Sequence, residues 1–305
     1  MIVVGGEALV DLVIDPDGSV TAKLGGGPFN AARAIGRLGS DVAFLGALSS
    51  DRFGTLLHRQ LLEDGVDDSL VQFTELPTTL ASAELDEHGA AGYHFYLSET
   101  AAPNVHPLPL PDGVTILHVG TLGMVLQPMA STLEAVVSGI GDNVLVLLDP
   151  NCRPRVTSDR VGYMARLERM LRRADVVKVS TDDLQFMAPD AHADGVRTLL
   201  ADGASLVLHT DGGRAVHAHW ATHEVEVPVP SVEVVDTIGA GDAFGGAFAA
   251  WWDQAGLGRR DLADPDAVVA AVTAAVQVAA VSCTRVGAQP PRRAELGDLW
   301  SPTRS

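Results

Sequence analysis

The stretch Val234–Trp252, VVDTIGAGDAFGGAFAAWW, sets a turn of small residues, Gly239-Ala240-Gly241, directly before an apolar run of helical character, and places a carboxylate, Asp242, inside it. Upstream, HEVEVPVPSVEVV reads as a strand. A small-residue turn at the start of a helix leaves amides free, and free amides with the helix dipole behind them attract anions. The acid argues against a plain phosphate cradle. Three readings compete. One is an Asp cap on a glycine-rich turn, because Asp is a preferred cap. Another is a variant dinucleotide fingerprint, a weak signal here because the spacing is G-x-G-x-x-x-G and lies far from the first βαβ unit. The third is a phosphotransferase, in which the amides of Gly239, Ala240 and Gly241 hold charge developing on a transferred phosphoryl group while Asp242 takes the proton of an attacking alcohol. An ordinary Asp, with a pKa of about 3.9, is a weak base towards an alcohol. In a loose transition state the proton leaves late, so orientation counts for more than basicity.

Outward from this turn, short β-rich runs alternate with helical patterns: MIVVGGEALV, NAARAIGRLG, DVAFLGAL and TLLHRQLLEDG early in the chain, then TILHVGTL, MASTLEAVVSGI, NVLVLLDPN, VGYMARLERMLRRA, DVVKVS, GVRTLLADG and SLVLHTDG. Such alternation predicts an α/β domain with a parallel sheet wrapped by helices, and ligands bind such folds beyond the carboxyl ends of the strands. Two pieces interrupt the rhythm. Residues 11–24 carry a hairpin signal at Pro16-Asp17-Gly18, and residues 71–103 read as further strands with turns near Glu75–Pro77 and Glu87–Gly89. The pattern allows either a separate small sheet or ordinary edge strands.

Composition narrows the function. The 305 residues are 47% hydrophobic and 20% charged, which excludes a mainly disordered chain, and a formal charge of -18 without any basic block argues against a nucleic-acid partner. The apolar N-terminus contains Glu7 and Asp11 and has no basic leader, so it reads as a strand and not a signal peptide. The run VVAAVTAAVQVAAVSC, 16 residues, reads as a buried helix too short to span a bilayer. Cys152 and Cys283 are isolated, as expected of a cytoplasmic protein without a zinc or redox motif. The lysines are Lys23 and Lys178 alone; neither completes a P-loop, and no protein-kinase catalytic loop is present. His217, His219 and His223 lack supporting carboxylate or cysteine spacing and read as ordinary strand residues, not a metal site.

The motifs DTIGAGDAFGGAFA and GGGPFNAARAIGRLG, Gly25 to Gly39, resemble the two signatures of the ribokinase / phosphofructokinase-B family of sugar kinases, and the likeness extends from VVGGEALVD to TRVGAQP. Ser49, in GALSSDRFG, stands where that family usually has Gly. The resemblance implies a single ribokinase-like three-layer α/β/α domain over residues 1–305, with a β-sheet lid formed by about 11–24 and 71–103. It further implies an ATP- and magnesium-dependent kinase acting on a primary hydroxyl of a small sugar, with Asp242 as base and Gly239, Ala240 and Gly241 as anion hole. Sugar contacts carry over to Asp11, Gly26, Gly27 and Asn30, and Asn151 and Arg153 in LLDPNCRP would face substrate or phosphates. In VKVSTDDLQFM, Ser180 and Asp183 occupy the family's N-x-x-E positions, where Asp183 would meet magnesium through water. Thr210, Gly212 and Arg214 in LHTDGGRAV would lie near the nucleotide, and Asp236 with the TRVGAQP loop would hold a monovalent cation such as K+. Tyr93, Phe95 and Tyr96 would touch substrate from the lid, if they are not simply packing there. The lid is also the expected clasp of a homodimer. Among acceptors the likeness favours fructose, yielding fructose 6-phosphate, ahead of 2-keto-3-deoxygluconate, whose carboxylate Arg153 would meet, and ahead of ribose or nucleosides. A sugar-binding regulatory protein without catalysis is the non-enzymatic alternative.

Overall fold

In a computed structural model of the protein, residues 1–85, 91–189 and 192–302 are described. The strands of the central sheet come early and late in the chain: β1 (Ile2–Gly5), β4 (Val42–Ser49), β5 (Val66–Asp67), β6 (Val71–Thr74), β9 (Ile116–Gly120), β10 (Leu145–Asp149), β11 (Val176–Ser180), β12 (Leu206–Thr210), β13 (Ala215–His219) and β14 (Glu224–Pro228). Their spatial order is β14-β13-β12-β11-β10-β9-β1-β4-β5, with β6 also paired to β4. Pairing is parallel except where β13 and β14 return antiparallel at one edge. Four further strands, β2 (Leu9–Ile14), β3 (Val20–Gly25), β7 (Leu80–Leu85) and β8 (Ala91–Tyr96), form a second sheet in the order β3-β2-β7-β8.

The central strands are apolar on both faces because helices cover both. On one side α1 (Gly27–Arg37), α2 (Arg52–Glu63), α7 (Ala240–Gln254) and α8 (Pro265–Cys283) pack on Ile2, Val4, Leu145, Leu147, Val176 and Leu206. On the other, α3 (Met129–Gly139), α4 (Arg160–Leu171), α5 (Thr181–Met187) and α6 (His192–Asp202) pack on Val3, Val146, Leu148, Val177 and Val207. This is the expected three-layer α/β/α arrangement with a mostly parallel sheet.

Some boundaries differ from the sequence reading. The 11–24 hairpin forms as expected, Ile14 facing Val20 across a turn in which Gly18 takes φ 83°. Residues 71–74 do not join the small sheet; they pair with β4, since their register continues the parallel edge of the central layer. The turn expected at Glu87–Gly89 lies outside the described residues. The strand upstream of the glycine turn stops at Pro228, where Pro removes a ladder donor, and an irregular segment with Val234, Val235 and Ile238 exposed leads to α7. The C-terminal apolar run is longer than read: α8 has 19 residues, enough by length and hydropathy to cross a bilayer, but Val268, Ala271, Val272, Ala275 and Val276 are buried in the core beneath α7.

Helices α1 and α7 lie in close contact because Gly246 has no side chain: a Cβ there would stand 2.7 Å from the Ala31 carbonyl oxygen and 3.1 Å from Ala34 Cβ. That approach brings the first turns of both helices together.

Candidate active site

At the start of α7, Gly239 is the cap residue in the left-handed region, φ 75°, and a Cβ on it would lie 2.6 Å from Ala288 Cβ. Glycine is required there by conformation and by space. Asp242 follows in the first helical turn, and its Oδ2 accepts a hydrogen bond of 2.9 Å from Asn30 Nδ2 on α1. Burial raises the Asp242 carboxyl above the ordinary Asp range, while the Asn30 bond and the charges of Lys178 and Arg153 pull it back. Helix α1 opens on Gly26, φ 111°, whose Cβ would meet the Glu7 carbonyl oxygen at 2.6 Å. A Cβ on Gly27 would meet Thr121 Oγ1 at 2.5 Å, Asp242 Oδ1 at 3.2 Å and Asn151 Nδ2 at 3.3 Å. Three groups from three segments therefore face one small space above Gly27.

Two of them sit on strained backbone. Thr121 (φ 52°) and Asn151 (φ 38°) occupy the left-handed region just after β9 and β10, and Asn151 Nδ2 donates to Thr121 Oγ1 at 3.3 Å. Non-glycine residues in that region cost free energy and concentrate at functional sites. Asp11, on β2 of the second sheet, is pushed up to about 6 by burial, with Arg153 and Lys23 opposing and Asp242 adding to the rise. That electrostatic coupling puts Asp11, Arg153 and Asp242 in one field. Arg153 itself is exposed, its Nη1 donating to the Asn151 carbonyl oxygen at 3.0 Å and to Asn151 Oδ1 at 2.6 Å.

The residues that the sequence led us to expect near a nucleotide are more spread out. Ser180 and Asp183 form a capping box at the start of α5, and Asp183, buried, also accepts from the Cys152 amide at 2.5 Å. Both Asp183 oxygens thus bind the protein: Oδ1 the turn after β10, Oδ2 the Ser180 amide and hydroxyl. Thr210 ends β12 with its hydroxyl on the Val179 carbonyl at 3.3 Å. Gly212, φ 56°, lies in an open turn, and the exposed Arg214 pairs with Asp211. Asp236 ties two loops together, accepting from the Ile238 amide at 3.0 Å and the Gly287 amide at 2.8 Å, with Lys23 Nζ at 3.8 Å. Phe95 packs with Leu9, Ala81 and Leu122, Tyr96 is exposed, and the side chain of Tyr93 lies outside the described parts. His209, His217 and His219 stack their rings, with Glu224 joining the Nδ1 atoms of His217 and His219 at 2.9 and 3.2 Å. Among the described residues no group of three His, Cys, Asp or Glu is arranged to hold a metal ion.

Four residues at or beside this space escaped sequence reasoning. Thr121 carried no signal, because its place above Gly27 follows from its backbone. Lys178, midway along β11, and Asp149, at the end of β10, form a buried pair, Nζ to Oδ2 at 2.9 Å. Glu7 is buried behind α1, its Oε1 accepting from the Gly27 amide at 3.1 Å and Oε2 from the Gly123 amide at 3.3 Å. Burial pushes the Glu7 carboxyl up to about 8 against its own amide, the Gly27 amide and the charge of Arg153, which favour ionisation, and Asp242 adds to the rise. A carboxyl raised by folding lends stability that is complete below its unfolded value, near 4.5, and is lost as pH climbs through about 8. Glu7→Gln turns an amide nitrogen towards one of the two N–H donors, and should lower stability by ~1–3 kcal/mol at pH 5. Because only the wild type loses the proton-linked stability of Glu7 on the way to pH 8.5, the deficit should shrink there. Urea unfolding at both pH values measures it; an equal deficit would show that Glu7 does not titrate in this window.

A mostly parallel sheet between two helical layers, a second small sheet, and a buried acid in the first turn of α7 met by Asn30 match the sugar-kinase class of phosphotransferases. The chain matches the model of the pfkB family carbohydrate kinases over residues 1–295, and it belongs to that family. It is 35% identical to a fructokinase of Rhizobium leguminosarum bv. trifolii over 253 residues, 80% of this chain and 77% of the relative. A fructokinase from Xylella fastidiosa, solved with bound ATP, superposes with a TM-score of 0.89 at 30% identity, covering 98% of this chain and 97% of that one. A double mutant of fructokinase from Vibrio cholerae O395, solved with fructose, ADP and potassium ion bound, superposes at 0.85 with 27% identity and 98% coverage of both chains.

Proposed function

We propose that this carbohydrate kinase transfers the γ-phosphoryl group of ATP to the primary hydroxyl of fructose, giving fructose 6-phosphate and ADP. The observation that carries the chemistry is Asp242, oriented by Asn30 at the amide-rich start of α7. The acceptor rests on the fructokinases of similar sequence and fold. In this reading fructose lies above Gly26 and Gly27, with hydroxyls on Asp11, Asn30 and Arg153. Its attacking oxygen forms a bond to the γ-phosphorus as the bond to the bridging oxygen of ADP breaks, and the hydroxyl proton passes to Asp242. The amides of Gly239, Ala240 and Gly241 receive the charge that gathers on the phosphoryl oxygens.

The nucleotide extends past Ser180, Thr210, Gly212 and Arg214. Bound magnesium would screen the phosphate charge; it keeps several waters and leans on phosphate oxygens, so one acid suffices to steer it. Asp183 fits that outer role, since both its oxygens already serve protein donors. A monovalent cation such as K+ belongs beside Asp236 and residues 284–290. The second sheet acts as a lid that excludes water during transfer, and its exposed Val20 and Tyr96 suit a homodimer contact. The free thiols of Cys152 and Cys283 fit a cytoplasmic enzyme.

Coupled ADP release over a panel of fructose, other hexoses, ribose, nucleosides and 2-keto-3-deoxygluconate tests the assignment. Fructose should give the highest kcat/KM. A preference for the sugar acid would transfer the Arg153 contact to a carboxylate, and no turnover with any acceptor would overturn the kinase reading.

A further inference from the structure

Lys178 is 4% exposed and Asp149 3% exposed, an expensive place for two charges. Val176 and Lys178 point to the α7 side of the sheet, as do Leu147 and Asp149 on the next strand. The ammonium is fixed by both Asp149 oxygens, at 3.1 and 2.9 Å. It reaches the underside of the glycine turn, where a Cβ on Gly241 would lie 3.0 Å from Nζ. A structural ion pair needs no such address: further along α7 the strands bring His118 to Gly245, a side chain that burial keeps uncharged.

We propose that Lys178, anchored by Asp149 beneath the first turn of α7, is the positioning residue that sets the charge state of the active site, keeping Asp242 ionised while anionic phosphates arrive at the turn. The proposal rests on the reading of Asp242 as the base. Its physical ground is that incoming phosphate charge favours protonation of a nearby carboxylate, and a fixed ammonium opposes this.

The other charged groups around the pair have definite places. Asp183 faces it from α5, Arg153 from the turn after β10, and Asp11 and Lys23 from the second sheet, with Glu7 behind α1. His118 on β9 is held neutral by burial and by Lys178, down to about 3. Burial alone would lower the Lys178 ammonium, but Asp149, Asp183 and Asp242 together hold it above its ordinary value, so it stays charged throughout the working range. Burial pushes Asp149 up to about 6 against Lys178, with Asp183 and Asp242 adding to the rise.

The test titrates the Asp242 carboxyl directly, by NMR of protein labelled with [¹³C]aspartate and free of substrates, with Asp242→Asn identifying the resonance. Lys178→Met should raise the Asp242 pKa by about one unit or more, and Asp149→Asn should lower it. The acid limb of kcat/KM on the best acceptor of the panel should move with it: up for Lys178→Met, so that activity is lost at higher pH, and down for Asp149→Asn. Lys178→Met leaves Asp149 buried without its partner and can fail to fold. The double variant Lys178→Met/Asp149→Leu removes both charges with apolar replacements, and its Asp242 pKa should fall between those of the two single variants. If Lys178→Met does not fold, the double variant is required to lie above Asp149→Asn. An Asp242 pKa unmoved in the variants that fold overturns the proposal, whether or not any sugar is turned over. Absence of turnover in the wild type would instead remove the kinase reading and leave the titration result standing.

Discussion

Asp242→Asn should reduce kcat by about 10²–10⁴ while leaving sugar affinity within a few-fold of the wild type. The substitution is nearly isosteric, and the amide oxygen can still accept the Asn30 bond that orients the residue at 2.9 Å. What disappears is the acceptor for the hydroxyl proton. Because a general base acts in the transition state, the loss belongs in kcat more than in ground-state binding. Steady-state kinetics beside calorimetric titration of the sugar separate the two quantities. Retention of most of the rate would show that the proton leaves by another route and that Asp242 only shapes the turn.

The second large effect should come from a residue with no side chain. Gly239→Val places a β-branched residue at φ 75°, where left-handed backbone costs ~1–2 kcal/mol or more, and directs its Cβ to within 2.6 Å of Ala288 Cβ. The turn must shift, and its amides with it. Removing one preset donor from an anion hole costs about 10²–10³ in kcat. Gly256→Val separates strain from function: Gly256 has φ 66° with open space around it at the far end of α7. It should lose a comparable part of its stability in thermal unfolding, yet keep its kcat. Equal kinetic losses in both variants would mean that the turn amides are not part of the chemistry.

Much of this was legible in the chain. Strands buried on both faces, such as LVLLD and ILHVG, read as continuous apolar runs, and their alternation with helices pointed to a parallel sheet between two helical layers. Asp242 was legible because an acid beside Gly239 and Gly241 is hard to reconcile with simple anion binding. Residues 71–74 were misplaced because a four-residue strand carries no mark of its partner. Pairing with β4 was decided by register at the edge of the sheet. The lysine count excluded a P-loop, yet Lys178 looked like an ordinary strand residue.

The sequence by itself determined the layers, the glycine turn and the acid within it, because these depend on periodicity and on residue types adjacent in the chain. Only the tertiary structure decided that Asn30 meets Asp242 from 212 positions away, and that Lys178 and Asp149 lie beneath Gly241. It also decided that Thr121 and Asn151 bend over Gly27. The reason is physical: a helix contact set by the missing side chain of Gly246, and charges stable in a core only when their partner comes from a neighbouring strand, are properties of distances in space, and local composition does not encode them.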